Sequence, residues 1–489
     1  MKCYDFDKTI YKKDSSISFF FYCLKRTPKI FFYSLVLAIY CFLHAIKIMK
    51  TKTFKEKFFK FLKWIDPDKM VNDFWDKEIK NINQWYLDQK EDSDVIASAS
   101  PEFLVRGAME RINPKATLIC TNMDKATGKI EGNNIKGENK KQVILEKFEE
   151  KFEACYSDSV NDLPMLDLGN KKFFVVKENI YEFGKQKLTP FQKIKQLIKL
   201  MRPHHYLKNL LILVPLFFEK DFTNESLFTK CLLGFFTFSF LSSFVYTIND
   251  IKDVKKDREH SKKRKRPIAA YMVNKTEAVI LALCLFISSM VLNYFVAGLS
   301  FWTYFVILCY AAVNLAYSFK LKEMPIMDVF ILALCYLIRI FYGGIVTGTI
   351  ISKWLYLTVF CAALFMGLGK RRNEVRTETG ESRKVNKFYN YEFLDKNLYV
   401  CLALTLVFYS LWVISFQPNT GWGLNGKMLL ATIPIVYMIM MKYSLIIEDK
   451  SHGGDPLDVL LRSWGLLVLV LVYIAFMVIC LYVPINIKI

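Results

Sequence analysis

At 489 residues, with 53% hydrophobic and 16% aromatic content and a mean hydropathy of +0.21, the chain is too long for one domain and too apolar to be soluble throughout. Its net charge of +21 raises nucleic acid as a partner. Much of the basic excess, however, lies in short loops beside apolar segments, where anionic lipid and membrane orientation account for it, and no RNA- or DNA-binding motif is present. The twelve cysteines are scattered without a CxxC pair, which argues against a disulfide framework or a zinc site.

In chain order, the start MKCYDFDKTI lacks the charged leader and apolar core of a signal peptide. Residues 1 to about 185 mix polarity, with strand candidates VIASAS and ACYSDS between charged helical stretches, a soluble α/β pattern. Inside it, Ile30 to Ile48 is long enough to cross a bilayer. Residues before and after this stretch are read below as one site, so a single crossing is excluded and an interfacial or buried helix pair is expected. Residues 186–204 form a linker whose Phe191, Ile194, Leu197, Ile198 and Met201 share one face, an amphipathic helix for a membrane surface or a simple linker helix.

From Tyr206 onward about nine apolar stretches approach the ~20 residues of a membrane span, centred near Leu213, Phe238, Ser288, Cys309, Leu334, Cys361, Leu406, Tyr437 and Tyr473. Loops alternate in character. Lys252–Arg266, Lys320–Glu323, Lys370–Lys396 and Glu448–Arg462 are charged, whereas TGTIIS and QPNTGWGLNG carry almost no charge. Positive loops stay inside, which predicts a multi-pass protein of the plasma (inner) membrane with its N-terminal region cytoplasmic and its C-terminus outside.

Two constellations carry chemistry. Between Asn249 and Pro267 the chain reads NDIKDVKKDREHSKKRKRP. Asp250, Asp253 and Asp257 recur at helical spacing, so on a helix they line one face and offer hard oxygens to Mg²⁺, while the following Lys and Arg grip the rest of a diphosphate. The plainer alternative is a solvated charged loop. In the first half, Asp5 and Asp7 in DFDKT, Ser98 after VIA, Lys141 opening KQVILEKF, and Asp158 with Asp162 in SDSVND form the second set. Singly, Ser98 is an ordinary strand end, Asp162 an N-cap, and Lys141 a solvated helix start with Lys140 beside it.

Taken in order, this second set resembles the haloacid dehalogenase superfamily, in its phosphoserine-phosphatase-like branch with the cap inserted after the first motif. The resemblance covers residues 1–185 and implies a Rossmann-like α/β domain with a helical cap at about 12–92. It makes Asp5 the nucleophile, Asp7 the general acid and base, and Thr9 the support of their loop. Ser98 and Lys141 become holders of phosphoryl oxygens, and Asp5, Asp158 and Asp162 the Mg²⁺ ligands. A dianionic phosphate monoester repels a carboxylate nucleophile, so metal and lysine are both needed. Two departures stand out: SDSVND where the family often has glycine, and an unusually apolar cap.

Residues 205–489, read as an all-α polytopic domain, resemble the UbiA superfamily of intramembrane prenyltransferases, nearest its branch that transfers 5-phosphoribosyl groups to polyprenyl phosphates. RPHHYLKN (Arg202–Asn209), the NDxxDxxxD run, HSKKRKRPIA, YSFKLKEMPIMD (Tyr317–Asp328) and GKRRNE carry the likeness, with Ser261 where the pattern has proline. Where aromatic prenyltransferases present a DxxxD pair, this chain has Lys322 and the single carboxylate Asp328. The likeness implies Mg²⁺ on Asn249, Asp250, Asp253, Asp257 and Asp328, and substrate contacts from Lys208, Lys262, Arg264, Arg266, Tyr317, Lys322 and Arg339. Phosphoribosyl diphosphate carries a second phosphate and the acceptor a third anion, so extra cations are expected. Arg339, inside an apolar run, is the most costly of these and is otherwise a snorkelling or helix-paired arginine. Rival readings are an aromatic or other prenyltransferase, an inactive docking module in the first half, and a transporter; the last needs polar residues spread across the span rather than gathered at one face.

Overall fold

Lys2–Tyr4, at the start of the chain, forms a strand whose two neighbours come from far along the sequence. The structure, a computed structural model, describes residues 1–45, 49–218, 221–376, 384–416, 428–448, 459–460 and 463–483. The loop QPNTGWGLNG and most of Glu448–Arg462 lie outside them. Two compact units result: Met1–Gln196 with Val254–Asn274, and Leu197–Asp253 with Lys275–Ile489.

The first unit is built on a sheet of order β3-β2-β1-β4-β5-β6. Its strands are β1 (Lys2–Tyr4), β2 (Val95–Pro101), β3 (Thr117–Thr121), β4 (Phe152–Ser157), β5 (Gly169–Val176) and β6 (Asn179–Glu182). All neighbours run parallel except β6, which lies antiparallel on β5. Cys3 of β1 is in register with Val95 of β2 on one side and Cys155 of β4 on the other. The segment between β1 and β2 therefore leaves and rejoins one sheet, which rules out a single membrane crossing by Ile30–Ile48.

That segment is a helical cap: α1 (Ser15–Leu24), α2 (Pro28–Ala45), α3 (Thr51–Phe58), α4 (Pro67–Glu78) and α5 (Gln84–Gln89). Asp14 caps α1 by accepting from Ile17 N–H, and Asp66 caps α4 ahead of Pro67, as a first-turn proline favours. Phe19, Phe61, Phe74 and Trp75 form its aromatic core, and Trp75 Nε1 donates to Leu104 O on α6 (Glu102–Ile112) at 2.8 Å. α4 approaches α6 at Gly107, where a Cβ would meet Val71 at 2.7 Å, so the contact requires glycine. α7 (Glu138–Lys147) and α8 (Leu163–Leu166) lie beyond β3 and β4. α9 (Pro190–Met201) has the expected amphipathic pattern, with Phe191, Ile194 and Ile198 exposed.

Val254–Asn274 packs with this unit. Ala270 and Met272 join Phe174 and Val176 of β5 in one apolar cluster, and Gln186 Nε2 donates to the carbonyls of Ala270 and Tyr271.

The second unit is helical, with α10 (Val214–Phe218), α11 (Glu225–Lys252), α13 (Lys275–Ala297), α14 (Phe301–Phe319), α15 (Met327–Thr347), α16 (Lys353–Arg376) and α17 (Tyr391–Ser415). Helices Thr432–Glu448 and Trp464–Tyr482 follow, and α12 (Val254–Glu259) is the short helix that belongs to the first unit. Six described helices are long and apolar enough to span a bilayer, against the nine stretches expected. At Leu213 the chain forms a 3-10 segment, Pro203–Leu213, followed by the five-residue α10. α16 is long, but its last turns carry the charges of GKRRNEVR, and Thr432–Glu448 has 17 residues. The protein is nonetheless multi-pass.

Candidate active sites

In the first unit, Asp5 follows β1 directly, and its backbone N–H donates to Tyr156 O of β4 at 2.9 Å. The chain then turns through Lys8 at φ +56°, and Thr9 is buried with its carbonyl accepting from Asn83 Nδ2 at 2.7 Å. Thr9 Oγ1 accepts from Asp158 N–H at 3.1 Å, so the first and fourth motifs are tied by the threonine expected to support them. Asp7 accepts from Ser15 N–H at 2.7 Å and from Ser100 Oγ at 2.6 Å. Ser98 is fully buried within β2, just before the strand's register on β3 shifts, and its Oγ accepts from Ser100 N–H at 3.1 Å.

The lysine that meets Asp5 is Lys140, whereas the sequence reading points to Lys141. Lys140 is 1% exposed and donates to Asp5 Oδ1 and Asp162 Oδ2, both at 3.0 Å. The reason is helical phase: Lys140 precedes buried Ile144 by one turn, whereas Lys141 precedes Leu145, which is 48% exposed. Asp162 accepts from Lys140 and from Ser157 Oγ at 3.1 Å, so it positions the lysine.

Burial raises the carboxyl groups of Asp5 and Asp7, while the ammonium of Lys140 opposes this at Asp5 and the donors Ser100 and Ser15 oppose it at Asp7. Asp158 is pushed up to about 7, by burial first and then by the Asp162 and Asp7 carboxylates, with Lys8 and Lys140 opposing. A raised Asp7 suits a proton donor, and an Asp5 held beside Lys140 suits a nucleophile.

A second cation went unforeseen. Lys55 of α3 reaches from the cap to donate to Ala99 O of β2 and, at 2.9 Å, to Asn134 Oδ1; burial pulls its pKa down to about 8. No motif marks it, because its partner is chosen by how the cap closes on the sheet.

In the second unit, Asn249, Asp250 and Asp253 sit at the end of α11, each beside a cation. Arg202 Nη2 donates to Asp250 Oδ1 at 2.6 Å, and Lys322 Nζ to Asp253 Oδ2 at 2.6 Å and Asn249 Oδ1 at 3.4 Å. The predicted three-acid face is interrupted, because α11 stops at Lys252 with Asp253 as its C-cap. Asp257 stands on the separate α12 and accepts from Arg266 Nη1 at 2.7 Å.

Several other predicted site residues have partners within the fold. Asp328, expected as a metal ligand, is fully buried, with one oxygen accepting from Arg371 Nε and the other from Tyr389 OH. Tyr389 OH also accepts from the N–H of Ile326, a β-branched residue at φ +68° that this network holds in place. Arg339 is an interhelical clamp: Nε donates to Asn209 Oδ1 at 2.7 Å, Nη1 to Cys335 O at 2.6 Å and Nη2 to Tyr310 OH at 2.6 Å. These neutral acceptors satisfy a guanidinium that packing keeps from solvent. Arg264 is bonded to Asp167 beyond α8, and Arg266 to Asp257, so both arginines of the basic cluster are engaged within the first unit. Lys262 is exposed, Lys208 half-buried, and Tyr317 half-buried against the apolar cluster of α11, α14 and α15.

Among the described residues no three His, Cys, Asp or Glu side chains already converge on a metal position. The donor chemistry still suits Mg²⁺ at two places. Asp5 and Asp158 are hard oxygen donors in a pocket whose carboxylates raise one another, and Asn249, Asp250 and Asp253 are oxygen donors at one helix end.

Comparison with known proteins bears on both units. The family model "haloacid dehalogenase-like hydrolase" matches residues 3–167, and "UbiA prenyltransferase family" matches residues 212–454. Decaprenyl-phosphate phosphoribosyltransferase of Mycobacterium tuberculosis is 32% identical over 296 residues, covering 58% of this chain and 94% of that protein. The enzyme of the same name from Mycolicibacterium smegmatis is 32% identical over 300 residues, covering 58% and 92%. A solved UbiA homolog from Archaeoglobus fulgidus bound to GPP and Mg²⁺ is 19% identical with a TM-score of 0.46, covering 59% of this chain and all of that one. This chain belongs to the UbiA prenyltransferase family and carries a haloacid dehalogenase-like hydrolase module ahead of its membrane helices.

Proposed function

We propose that the membrane unit transfers the 5-phosphoribosyl group of phosphoribosyl diphosphate to a polyprenyl phosphate, and that the N-terminal unit is a phosphomonoesterase removing the 5-phosphate of that lipid product. The observation that carries this reading is Lys322 set against Asp253 and Asn249, in a chain that aligns with 94% of a decaprenyl-phosphate phosphoribosyltransferase. A cation at that position serves a substrate with more phosphate groups than an allylic diphosphate has.

In the transfer step, Arg202 and Lys322 orient Asp250 and Asp253 and supply positive charge toward the diphosphate. The lipid phosphate oxygen bonds to carbon 1 of ribose as the carbon–oxygen bond to diphosphate breaks. Asn249, Asp250 and Asp253 in one unit, and Asp5 and Asp158 in the other, would hold Mg²⁺, which would relieve phosphate charge there. In the hydrolytic step, Asp5 attacks phosphorus while Asp7 protonates the departing 5-oxygen. Asp7 then takes a proton from the water that cleaves the aspartyl phosphate. Lys140 opposes protonation of Asp5 and offers its charge to the incoming phosphate, and Thr9 holds the two aspartate loops together. The distribution of basic loops supports a cytoplasmic location for both chemistries in a plasma (inner) membrane, which spares the product a crossing. Tethering raises the concentration of one activity around the product of the other.

The test uses membranes containing the full chain, ribose-labelled phosphoribosyl diphosphate and polyprenyl phosphate. Label enters the organic phase with the wild type and falls ~100-fold or more with Asp250→Asn. Undiminished transfer by that variant refutes the site.

A further inference from the structure

α2 of the cap is apolar on two opposite faces. Ile30, Tyr33 and Leu37 form a narrow stripe buried against the rest of the cap. Half a turn away, Phe32 (70% exposed), Leu35 (66%), Ile39 (58%) and Phe42 (63%) point outward, and on α1 Ile17 and Phe21 are also exposed. Among the described residues of the first unit, none covers this outer face of α2. A soluble helix has a polar outer face; this one has no acidic residue in its first turn, and its only charged residue before His44 is Lys29. The surroundings are one-signed: residues 15–64 contain ten Lys or Arg and one Glu.

We infer that the outer face of α1 and α2 is a membrane-docking surface, seated among the acyl chains of an anionic bilayer with its lysines and arginines at the headgroups. Three observations choose the occupant. Basic flanks around an apolar face complement anionic lipid, whereas a second copy of this face sets like charge against like. The chain already resides in a bilayer through its six candidate spans. β1 and β2 pair in one sheet on either side of the cap, so the helix lies in the surface rather than crossing it. The inference rests on and deepens the reading of the phosphatase as acting on a lipid-borne phosphate, because the cap that docks also sets Lys55 on Ala99 O, next to Ser98 on β2.

The experiment places an environment-sensitive fluorescent amino acid at position 32 or 39 of the full chain, with position 115 as control, since the Lys115 side chain is 71% exposed on the opposite kind of surface. Proteins are reconstituted in nanodiscs of phosphatidylglycerol and phosphatidylcholine, with and without spin-labelled acyl chains. The expected result is blue-shifted emission at 32 and 39 that the spin-labelled lipid quenches at least twofold, with no effect at 115. Emission at 32 and 39 like that at 115 overturns the inference. So does a blue shift that spin-labelled lipid leaves unquenched, which marks a protein partner. No turnover is read, so an inactive phosphatase with a quenched cap refutes only the functional reading, and an unquenched cap on an active phosphatase refutes only the docking.

Discussion

Replacing Lys140 by Met is the most demanding test of the phosphatase site. Lys140 is 1% exposed and its ammonium serves Asp5 and Asp162, both at 3.0 Å. Removing one partner of a buried ion pair costs ~3–5 kcal/mol, and protonation of one stranded carboxyl recovers part of that, leaving roughly 3 kcal/mol. For a unit of 150–250 residues this lowers the melting midpoint by roughly 6–12 °C. Limited proteolysis after graded heating, with the N-terminal unit followed by immunoblot, reads the shift in the full chain. Phosphate release from an aryl phosphate monoester falls about 100-fold or more, since the cation that steadies the nucleophile and the incoming phosphate is lost. Lys141→Met serves as the neighbouring control and changes stability by no more than ~0.5 kcal/mol, with turnover kept. A stable, active Lys140→Met, or a dead Lys141→Met, refutes the assignment.

Three further outcomes follow from the same geometry. Lys322→Met weakens ribosyl transfer mainly through a raised KM for phosphoribosyl diphosphate, by about tenfold or more, as expected for a lost charged contact; an unchanged KM contradicts the role given to Lys322. Asp328→Ala leaves the fully buried Arg371 with Glu374 as its remaining carboxylate partner and costs about 3 kcal/mol, the low end for a broken buried pair, whereas Asp328→Leu with Arg371→Met costs less than either single change; thermal aggregation in detergent measures both. Asp158, at about 7, keeps its proton while an unfolded carboxyl near ~3.9 has lost it, so the folded unit binds more protons across that window and loses stability as pH rises through it. Proteolysis midpoints in EDTA therefore fall between pH 5 and pH 7.5, Asp158→Asn flattens the profile, and Mg²⁺ restores more at pH 7.5 than at pH 5; a midpoint that climbs with pH contradicts this.

Local pattern reached some of these features and not others. The strands leading to Asp5 and Asp158, and the one holding Ser98, were legible because short apolar runs ending in polar residues report a parallel sheet; that β2 continues past Ser98 to Pro101 was not. Spans from Phe238 to Leu334 were legible from length alone. The choice between Lys140 and Lys141 was not, since KKQVIL has an apolar residue one turn beyond either lysine and only the packed face decides. Asp257 was assigned to the same helical face as Asp250 because spacing cannot reveal that α11 ends at Lys252. The charge of Arg264, Arg266 and Arg339 shows in the sequence, but their hydrogen-bond partners Asp167, Asp257, Asn209 and Tyr310 do not, because these come from distant segments or a fold within the loop.

The central claim is that one chain builds a phosphoribosyl lipid and then dephosphorylates it. Membranes bearing the wild type or Asp5→Asn are given polyprenyl phosphate and phosphoribosyl diphosphate labelled with ¹⁴C in the ribose and ³²P in the 5-phosphate, and the isotope ratio of the lipid fraction is counted over time. The account predicts ¹⁴C in the lipid from both, with ³²P lost from the wild-type product and retained in that of Asp5→Asn. Absence of ¹⁴C from the lipid, or equal ³²P loss from both proteins, contradicts it.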